Sequence, residues 1–245
     1  MSSYKRVVAL GDSFTRGDEL ADCPPASDID WVKQQSMLTW PSLFAKQNAV
    51  NYKSRSRGGV GNQWISWRVV SGTKPNILVI VNWTFFERFD YIDPSTDYWH
   101  HTHPHDKDKL DHYFYRNIDS DIWNIYRNLQ IMHSTICFLQ QNGINFIMTC
   151  IDSQYNVNFA TLRTRNNWLK DNRDGTEFLT WEKAITKLQQ QVCPYITMFD
   201  NMSFLEWSKH KGFELGPNGH PLEKAHIEAA KYINTIITKE SQNEH

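Results

Sequence analysis

Two short stretches, far apart in the chain, carry residue types suited to nucleophilic chemistry. "GDS" (11–13) follows the β-branched run "RVVAL" (6–10), so Ser13 stands where a buried strand must turn sharply. A serine hydroxyl becomes a nucleophile when a base takes its proton, and His220 in the glycine-rich stretch "LGPNGHPLEKAH" (215–226) is the candidate base. Each residue also has an ordinary explanation, Ser13 as a turn or cap residue and His220 as a surface histidine.

A third stretch, "RGGVGNQ" (57–63), completes a pattern that resembles the SGNH (GDSL) hydrolase superfamily. In that family the serine of the first block is the nucleophile and its N–H helps to form the oxyanion hole, which implies these roles for Ser13. A glycine of the second block is another oxyanion donor and matches Gly59 best. The first histidine of the fifth block is the general base and matches His220. The resemblance implies an esterase without a cofactor or a metal.

The third block departs from the family pattern. The family reads Gly-X-Asn-Asp there, and the asparagine side chain completes the oxyanion hole. Here the corresponding residues are "NWTF" (82–85). Asn82 or Thr84 is the expected donor, and Asn62 is a third possibility.

The position of the acid is the second departure. The family usually places an aspartate three residues before the base, and Pro217 occupies that position here. One alternative is a Ser-His dyad in which a backbone carbonyl orients the ring. The other is an atypical triad, with Asp152 or Glu214 as the acid.

Hydrophobic periodicity predicts the elements that must position these residues. Strands are expected over 6–10, 49–53, 76–83, 144–151 and 195–200, and helices over 39–48, 62–72, 121–143 and 220–240. Alternating strands and helices favour a flavodoxin-like, SGNH-type three-layer α/β sandwich with a central parallel sheet of about five strands. We expect a single domain over 1–245, with loop or lid insertions near 90–120 and 152–180.

Composition excludes several classes of protein. The formal net charge of -1 gives no electrostatic reason to expect nucleic-acid binding, although a small polyanionic target stays open. The four cysteines contain no CxxC pair and favour a reducing compartment. The sequence has neither a signal-peptide pattern nor an apolar run of the ~18 residues that a membrane span needs, so we expect a cytoplasmic protein.

The histidine-rich stretch "HHTHPHD" (100–106) contains metal-ligand types, but its spacing fits no known metal motif and we expect a polar lid sequence without a metal. His226 falls on the apolar stripe of the last helix and is expected to pack in the core.

The abundance of aromatic residues, 10 Trp, 10 Tyr and 13 Phe, slightly favours a carbohydrate ester among small-molecule and glycan ester substrates. An O-acyltransferase, or a non-catalytic binding or virion-associated protein with the same fold, are the alternatives. The forms "NWTFFERF" and "GHPLEKAH" are similar to variants carried by bacteriophages.

Overall fold

The computed structural model describes residues 4–23, 35–104, 109–117, 119–156 and 175–243. Its strands are β1 (Arg6–Leu10), β2 (Asn51–Ser54), β3 (Leu78–Trp83), β4 (Phe89–Ile92), β5 (Trp99–Thr102) and β6 (Asn145–Cys150). Its helices are α1 (Ser13–Arg16), α2 (Trp40–Gln47), α3 (Asn62–Gly72), α4 (Lys109–Asn117), α5 (Asp121–Gln141), α6 (Gly175–Val192), α7 (Phe204–His210) and α8 (Glu223–Asn243).

The centre of the fold is a parallel sheet in the order β2-β1-β3-β6. Strand β3 is buried along its whole length, as its continuous apolar run "LVIVNW" requires of a central strand covered on both faces. The edge strand β2 is only half-buried. Because all four strands run in the same direction, their carboxyl ends share one edge of the sheet, where ligands bind in open α/β folds.

Side chains alternate between the two faces of the sheet, so each face has its own core. On one face the strands pack with α3 and α5 through a cluster that includes Val8, Val79, Val81, Ile65 and Leu129. On the other face they pack with α2 and α8 through Val7, Ile80, Trp40, Phe44 and Ala229. The result is the three-layer α/β sandwich that the sequence predicts.

The expected fifth strand over 195–200 is much reduced. Among the described residues, it pairs with the central sheet only through one parallel bridge between Ile196 and Met148 of β6. The chain enters it through a 3₁₀ turn, Cys193–Tyr195, that contains Pro194. A proline has no N–H to donate, so this turn cannot join a ladder and the strand is short.

The segment near 90–120 is more regular than the sequence indicated. Strands β4 and β5 form an antiparallel hairpin, and α4 follows it. Most of the expected insertion at 152–180 lies outside the described residues, and the extent of the domain stays a prediction.

Candidate active site

The turn that carries Ser13, named here the nucleophile turn, follows β1 directly. Ser13 is the first residue of α1 and is 6% exposed. Asp12, which is fully buried, caps this helix because its Oδ1 accepts a hydrogen bond from the Phe14 N–H at 3.0 Å. The cap fixes the turn, and the N–H of Ser13 has no partner within the helix because it belongs to the first turn.

His220 meets Ser13 as the sequence predicts. The Nε2 atom of His220 lies 2.9 Å from Ser13 Oγ, within hydrogen-bond reach, although the two residues are 207 positions apart. The imidazole packs on the ring of Phe14, with 4.7 Å between the ring centroids. Packing on Phe14 and the bond to Ser13 together define the position of the imidazole.

Glu19 contacts Nδ1, the other nitrogen of the His220 imidazole. Its Oε2 lies 2.6 Å from His220 Nδ1. It reaches this position through a tight turn in which Gly17 has φ +87° and Glu19 itself has φ +71°. Ser13, His220 and Glu19 thus form a continuous hydrogen-bonded line.

The turn that carries His220 also binds the carboxylate of Glu19. Glu19 Oε1 accepts hydrogen bonds from the backbone N–H and the side-chain amide of Asn218, at 2.9 and 3.0 Å. Burial alone would raise the pKa of Glu19, but the bonds from Asn218 and His220 outweigh it and the pKa is lowered from its ordinary value. The carboxylate is therefore ionised at neutral pH.

Pro217 has a structural explanation. The N–H of Gly219 donates to the carbonyl of Gly216 at 2.9 Å, which closes a four-residue turn with Pro217 in its second position, where proline is favoured. The position that usually carries the acid therefore shapes the turn instead.

The two acids named from the sequence lie elsewhere. Within the described part of the chain, neither Asp152 nor Glu214 bonds to His220. Asp152 follows β6, where burial raises its pKa to about 7, with the charges of Glu87 and Glu206 adding to the shift. Glu214 is exposed.

Sequence reasoning missed Glu19. It is in the printed stretch "GDSFTRGDEL", only six residues after Ser13, but a glutamate there has no family motif to indicate its role. The available signal was the pair of carboxylates directly after Gly17, a glycine that permits a tight turn back toward the serine.

The glycine loop after β2 comes next to Ser13. A methyl group on Gly58 would lie 3.7 Å from Ser13 Cβ, whereas one on Gly59 would lie 3.2 Å from His103 Nε2. Gly58 is therefore adjacent to Ser13, and Gly59, the residue matched from the sequence, lies beside the hairpin. The loop is held to the first strand by a hydrogen bond from the Arg57 N–H to the Gly11 carbonyl.

The three expected side-chain donors, Asn82, Thr84 and Asn62, lie in the interior. Thr84 Oγ1 donates to Asp12 Oδ2 at 2.7 Å. The Asn62 amide donates to the Thr84 carbonyl and to Asn128 Oδ1. Asn82 is fully buried, its Oδ1 accepts from Thr149 Oγ1, and its amide nitrogen has no hydrogen-bond partner within the described residues. The structure therefore holds these three side chains in the protein interior around the nucleophile turn.

Arg88 forms an ion pair with Asp12, the residue that caps α1. Arg88 Nη1 lies 2.7 Å from Asp12 Oδ2 and also donates to the Val60 carbonyl in the glycine loop. Both the nucleophile turn and the glycine loop are thus tied to one guanidinium group.

The hairpin anchors the start of α3. Asp90 on β4 accepts hydrogen bonds from the N–H groups of Gly61 and Trp64, at 2.7 and 2.9 Å, and its Oδ1 lies 2.7 Å from His101 Nδ1. His101, from the histidine-rich stretch, is therefore a partner of Asp90. No cluster of three or more potential metal ligands occurs among the described residues.

His226 packs in the core as the sequence predicts. It is 1% exposed, its Nδ1 accepts a hydrogen bond from the Trp40 N–H at 3.0 Å, and burial lowers its pKa to about 3. Among the described residues, no helix has both the length and the apolar character needed to cross a lipid bilayer.

Known structures show a similar fold at low sequence identity. An acetyl xylan esterase (Est2A) from the rumen bacterium Butyrivibrio proteoclasticus aligns with 99% of this chain at 13% identity, with a TM-score of 0.50. A carbohydrate esterase whose active site displays divergent catalytic and non-catalytic binding functions aligns with 98% at 13% identity and the same TM-score. This chain covers 66% of each of those two chains, slightly less than two thirds.

A protein assigned to the G-D-S-L lipolytic family from Desulfitobacterium hafniense DCB-2 aligns over 95% of this chain and 99% of its own, at 10% identity and a TM-score of 0.44. Neither a family model nor a curated protein sequence matches the chain. The parallel sheet with its strand order and the likeness to the two esterase structures agree with the sequence blocks, and the chain has the α/β fold of the SGNH hydrolases.

Proposed function

We propose that the protein is a serine ester hydrolase in which Ser13, His220 and Glu19 form the catalytic triad. The observation that carries this proposal is the hydrogen-bonded line from Ser13 Oγ to His220 Nε2, at 2.9 Å, and from His220 Nδ1 to Glu19 Oε2, at 2.6 Å. It supports the nucleophile and base expected from the sequence, and it favours the triad over the dyad.

The roles follow from hydrogen-bonding chemistry. An ionised carboxylate can only accept, so Glu19 requires a hydrogen on His220 Nδ1 and leaves the Nε2 lone pair directed at Ser13. His220 takes the Ser13 proton as Oγ attacks the ester carbonyl, and Glu19 stabilises the resulting imidazolium. The same proton then passes to the leaving alcohol, and water repeats the sequence to release the acid.

The oxyanion donors in this proposal are mainly backbone groups. Gly58 is next to Ser13, so the N–H of Ser13 and an N–H of the glycine loop are the backbone candidates. The amide of Asn62 and the hydroxyl of Thr84 already have protein partners, and Asn82, whose amide has none among the described residues, is fully buried. Loss of one oxyanion donor typically costs ~10²- to 10³-fold in rate. We therefore expect a slow or specialised hydrolase.

A carbohydrate ester is the substrate class we favour. The exposed Trp67 and the neighbouring Trp99 have ring centroids 5.6 Å apart next to the hairpin, and aromatic faces of this kind stack on sugars. The similarity to carbohydrate esterase structures supports the same class. An acyltransferase would differ only in passing the acyl group to an acceptor hydroxyl, and the likeness to bacteriophage variants stays a prediction.

A non-catalytic binding protein is the second candidate. It is favoured by the interior position of the expected side-chain donors: those of Asn62 and Thr84 already bond to protein groups, and Asn82, whose amide has no partner among the described residues, is fully buried. The line from Ser13 to Glu19 argues against it, because binding alone does not require an aligned serine, imidazole and carboxylate.

A fluorophosphonate probe distinguishes the two candidates. We expect covalent labelling of the parent protein and hydrolysis of acyl esters, and loss of both in Ser13→Ala with a nearly unchanged melting temperature. Ser153→Ala is the matched control, since Ser153 bonds to Glu206 rather than to His220, and it should keep both properties. An unlabelled parent, or a Ser13→Ala variant as active as the parent, would contradict the proposal.

A further inference from the structure

A cationic cavity lies beside the end of β2, along helix α3. Its volume is about 620 Å³, within the usual range of small-molecule sites. Lys53, Arg55, Arg57 and Arg68 line it together with three serines and Trp64, and none of these lining residues is acidic. A chain with a formal net charge of -1 thus concentrates four positive charges in one concavity.

Two of the positively charged side chains in this cavity, Arg55 and Arg68, repel each other. Burial lowers the pKa of Arg68, and the neighbouring charge of Arg55 lowers it further. The guanidinium of Arg55 lies against the C-terminus of α3, where a methyl group on Gly72 would come within 1.5 Å of Arg55 Nη1. The helix end favours the Arg55 cation, and an anion placed between Arg55 and Arg68 would offset their repulsion.

Two polar atoms of the cavity lining are buried without a protein partner. Arg68 Nε and Ser56 Oγ make no hydrogen bond to any described residue. A buried donor left without an acceptor is unfavourable, so these two atoms would gain from a bound acceptor. Arg68 is also positioned by the rings of Trp64 and Trp67, with its Cζ 5.6 and 5.5 Å from their centroids.

The cavity is close to the nucleophile along the chain. Arg55 extends the pairing of β2 beyond its end, because its N–H donates to the Ala9 carbonyl. Three residues later, Gly58 is adjacent to Ser13, and three residues span at most about 10 Å. The end of the cavity at Arg57 is therefore next to the glycine loop, and an extended, oligomeric ligand is needed to reach from Arg55 and Arg68 to the serine hydroxyl.

We infer that this cavity binds an anionic group, a phosphate, sulfate or carboxylate, of the ester that Ser13 cleaves. The inference rests on the proposed function and specifies its substrate as a negatively charged ester. Arginine suits such groups because its planar fork can donate two parallel hydrogen bonds to one anion. A single concave site in a chain without excess positive charge favours a small anionic substrate over a nucleic acid.

Matched ester pairs test this inference. The esters are O-acetylated galacturonate oligomers, which are anionic, and neutral O-acetylated xylose oligomers of equal length. We expect the parent to have a higher kcat/KM for the anionic ester than for the neutral one. Arg55→Gln should lower the ratio of these two kcat/KM values by ~10-fold or more, mainly because KM for the anionic ester rises. Arg55→Lys should keep part of this preference. Arg6→Gln, at the exposed opposite end of β1, is the control and should keep all of it.

A binding measurement separates failure of the inference from failure of the proposed function. Inorganic phosphate is titrated at constant ionic strength while NMR follows the Arg68 Nε–Hε signal. If the parent cleaves no ester but phosphate shifts this signal, and Arg55→Gln removes the shift, the anion site is supported although the hydrolase proposal fails. If both esters are cleaved equally and phosphate has no effect, the anion site is overturned while the hydrolase stands. Tighter Arg55-dependent binding of an oligonucleotide than of the galacturonate oligomer would also overturn it.

Discussion

The position of Glu19 in the chain gives no indication of its contact with His220. Its carboxylate is fixed by the Asn218 amides and by His220, so it is both a hydrogen-bond acceptor and a fixed charge beside the imidazole. A glutamine at position 19 has nearly the same size but can donate to Nδ1. The donated hydrogen bond favours the tautomer that turns an N–H, rather than a lone pair, toward Ser13.

We therefore predict that Glu19→Gln lowers kcat by ~10³- to 10⁴-fold, the scale seen when a triad acid is replaced. Glu19→Asp should recover part of the activity because it restores the charge. Initial rates on an acyl ester measure the effect. Glu214→Gln, which replaces an exposed glutamate, is the control and should lose little; equal losses in the two glutamine variants would rule out the role of Glu19.

The same variant has a pH-dependent effect on stability. The pKa of Glu19 is lowered in the folded protein. The ionised carboxylate therefore stabilises the fold at pH values above 4.5, the ordinary pKa of a glutamate. This contribution is lost as the pH falls through the lowered value. Glu19→Gln should therefore melt below the parent at pH 7, and the difference should close in acid.

At the residue scale, the sequence indicated Ser13 and His220, which the structure brings within hydrogen-bond distance, but not Glu19. Ser13 follows a strand and His220 precedes a helix, so local pattern and family blocks identify both. The Glu19–His220 contact joins residues 201 positions apart, and only the fold brings them together. The roles of Asn62 and Thr84 could not be predicted for the same reason, since their reciprocal bonds cross between α3 and the end of β3.

At the scale of elements, the β4–β5 hairpin fixes the glycine loop. Helix α3 begins without a capping side chain of its own, and its N-terminal N–H groups bond to Asp90 of the hairpin instead. The Nδ1 atom of His101 also contacts the Asp90 carboxylate, at 2.7 Å from its Oδ1. The position of the Gly58–Gly59 pair thus depends on a separate supersecondary unit.

We predict that Asp90→Asn destabilises the protein by about 1–3 kcal/mol, since a buried charged acceptor with two backbone donors is replaced by a weaker one. The rate on acyl esters should fall as well, because the glycine loop loses its anchor. Thermal unfolding and kcat are the measurements. Asp97→Asn, an exposed change on the same hairpin, should alter neither; a stable Asp90→Asn variant with full activity would show that the hairpin does not support the loop.

The elements themselves were well predicted where periodicity was strong. The strand over 6–10 and the helix over 62–72 have the expected bounds, and the other strands of the sheet differ by one or two residues at their ends. The strand over 195–200 was overestimated because an apolar run does not reveal whether a partner strand is available. The hairpin in 90–120 was missed because its side chains are mostly polar and show no simple alternation.

At the scale of the whole molecule, the carboxyl edge of the sheet collects acidic groups as well as the proposed triad. Burial raises the pKa of Asp152 to about 7, and the charges of Glu87 and Glu206 contribute. The folded chain therefore keeps a proton there that the unfolded chain releases near 3.8. Between these values the unfolded state binds fewer protons, so the free energy of unfolding falls as the pH rises and becomes level above about pH 7.

We predict that Asp152→Asn removes this part of the pH dependence. The variant should gain melting temperature relative to the parent as the pH is raised from 4 to about 7, and the gain should then stay constant. Thermal unfolding across this range measures it, with Asp97→Asn as the exposed control. A difference that does not change with pH would show that Asp152 ionises normally in the folded state.

The distance along the chain between Glu19 and its turn has a consequence for biosynthesis. Ser13 and Glu19, the proposed nucleophile and acid, are made early on the ribosome, while His220, the proposed base, and the turn that holds Glu19 are made about 200 residues later. Until His220 leaves the exit tunnel and docks, the serine hydroxyl has no proton acceptor and Glu19 lacks the partners that fix it. Under the proposed mechanism, a nascent chain is therefore inactive, and activity begins only when the late segment has closed on the early one.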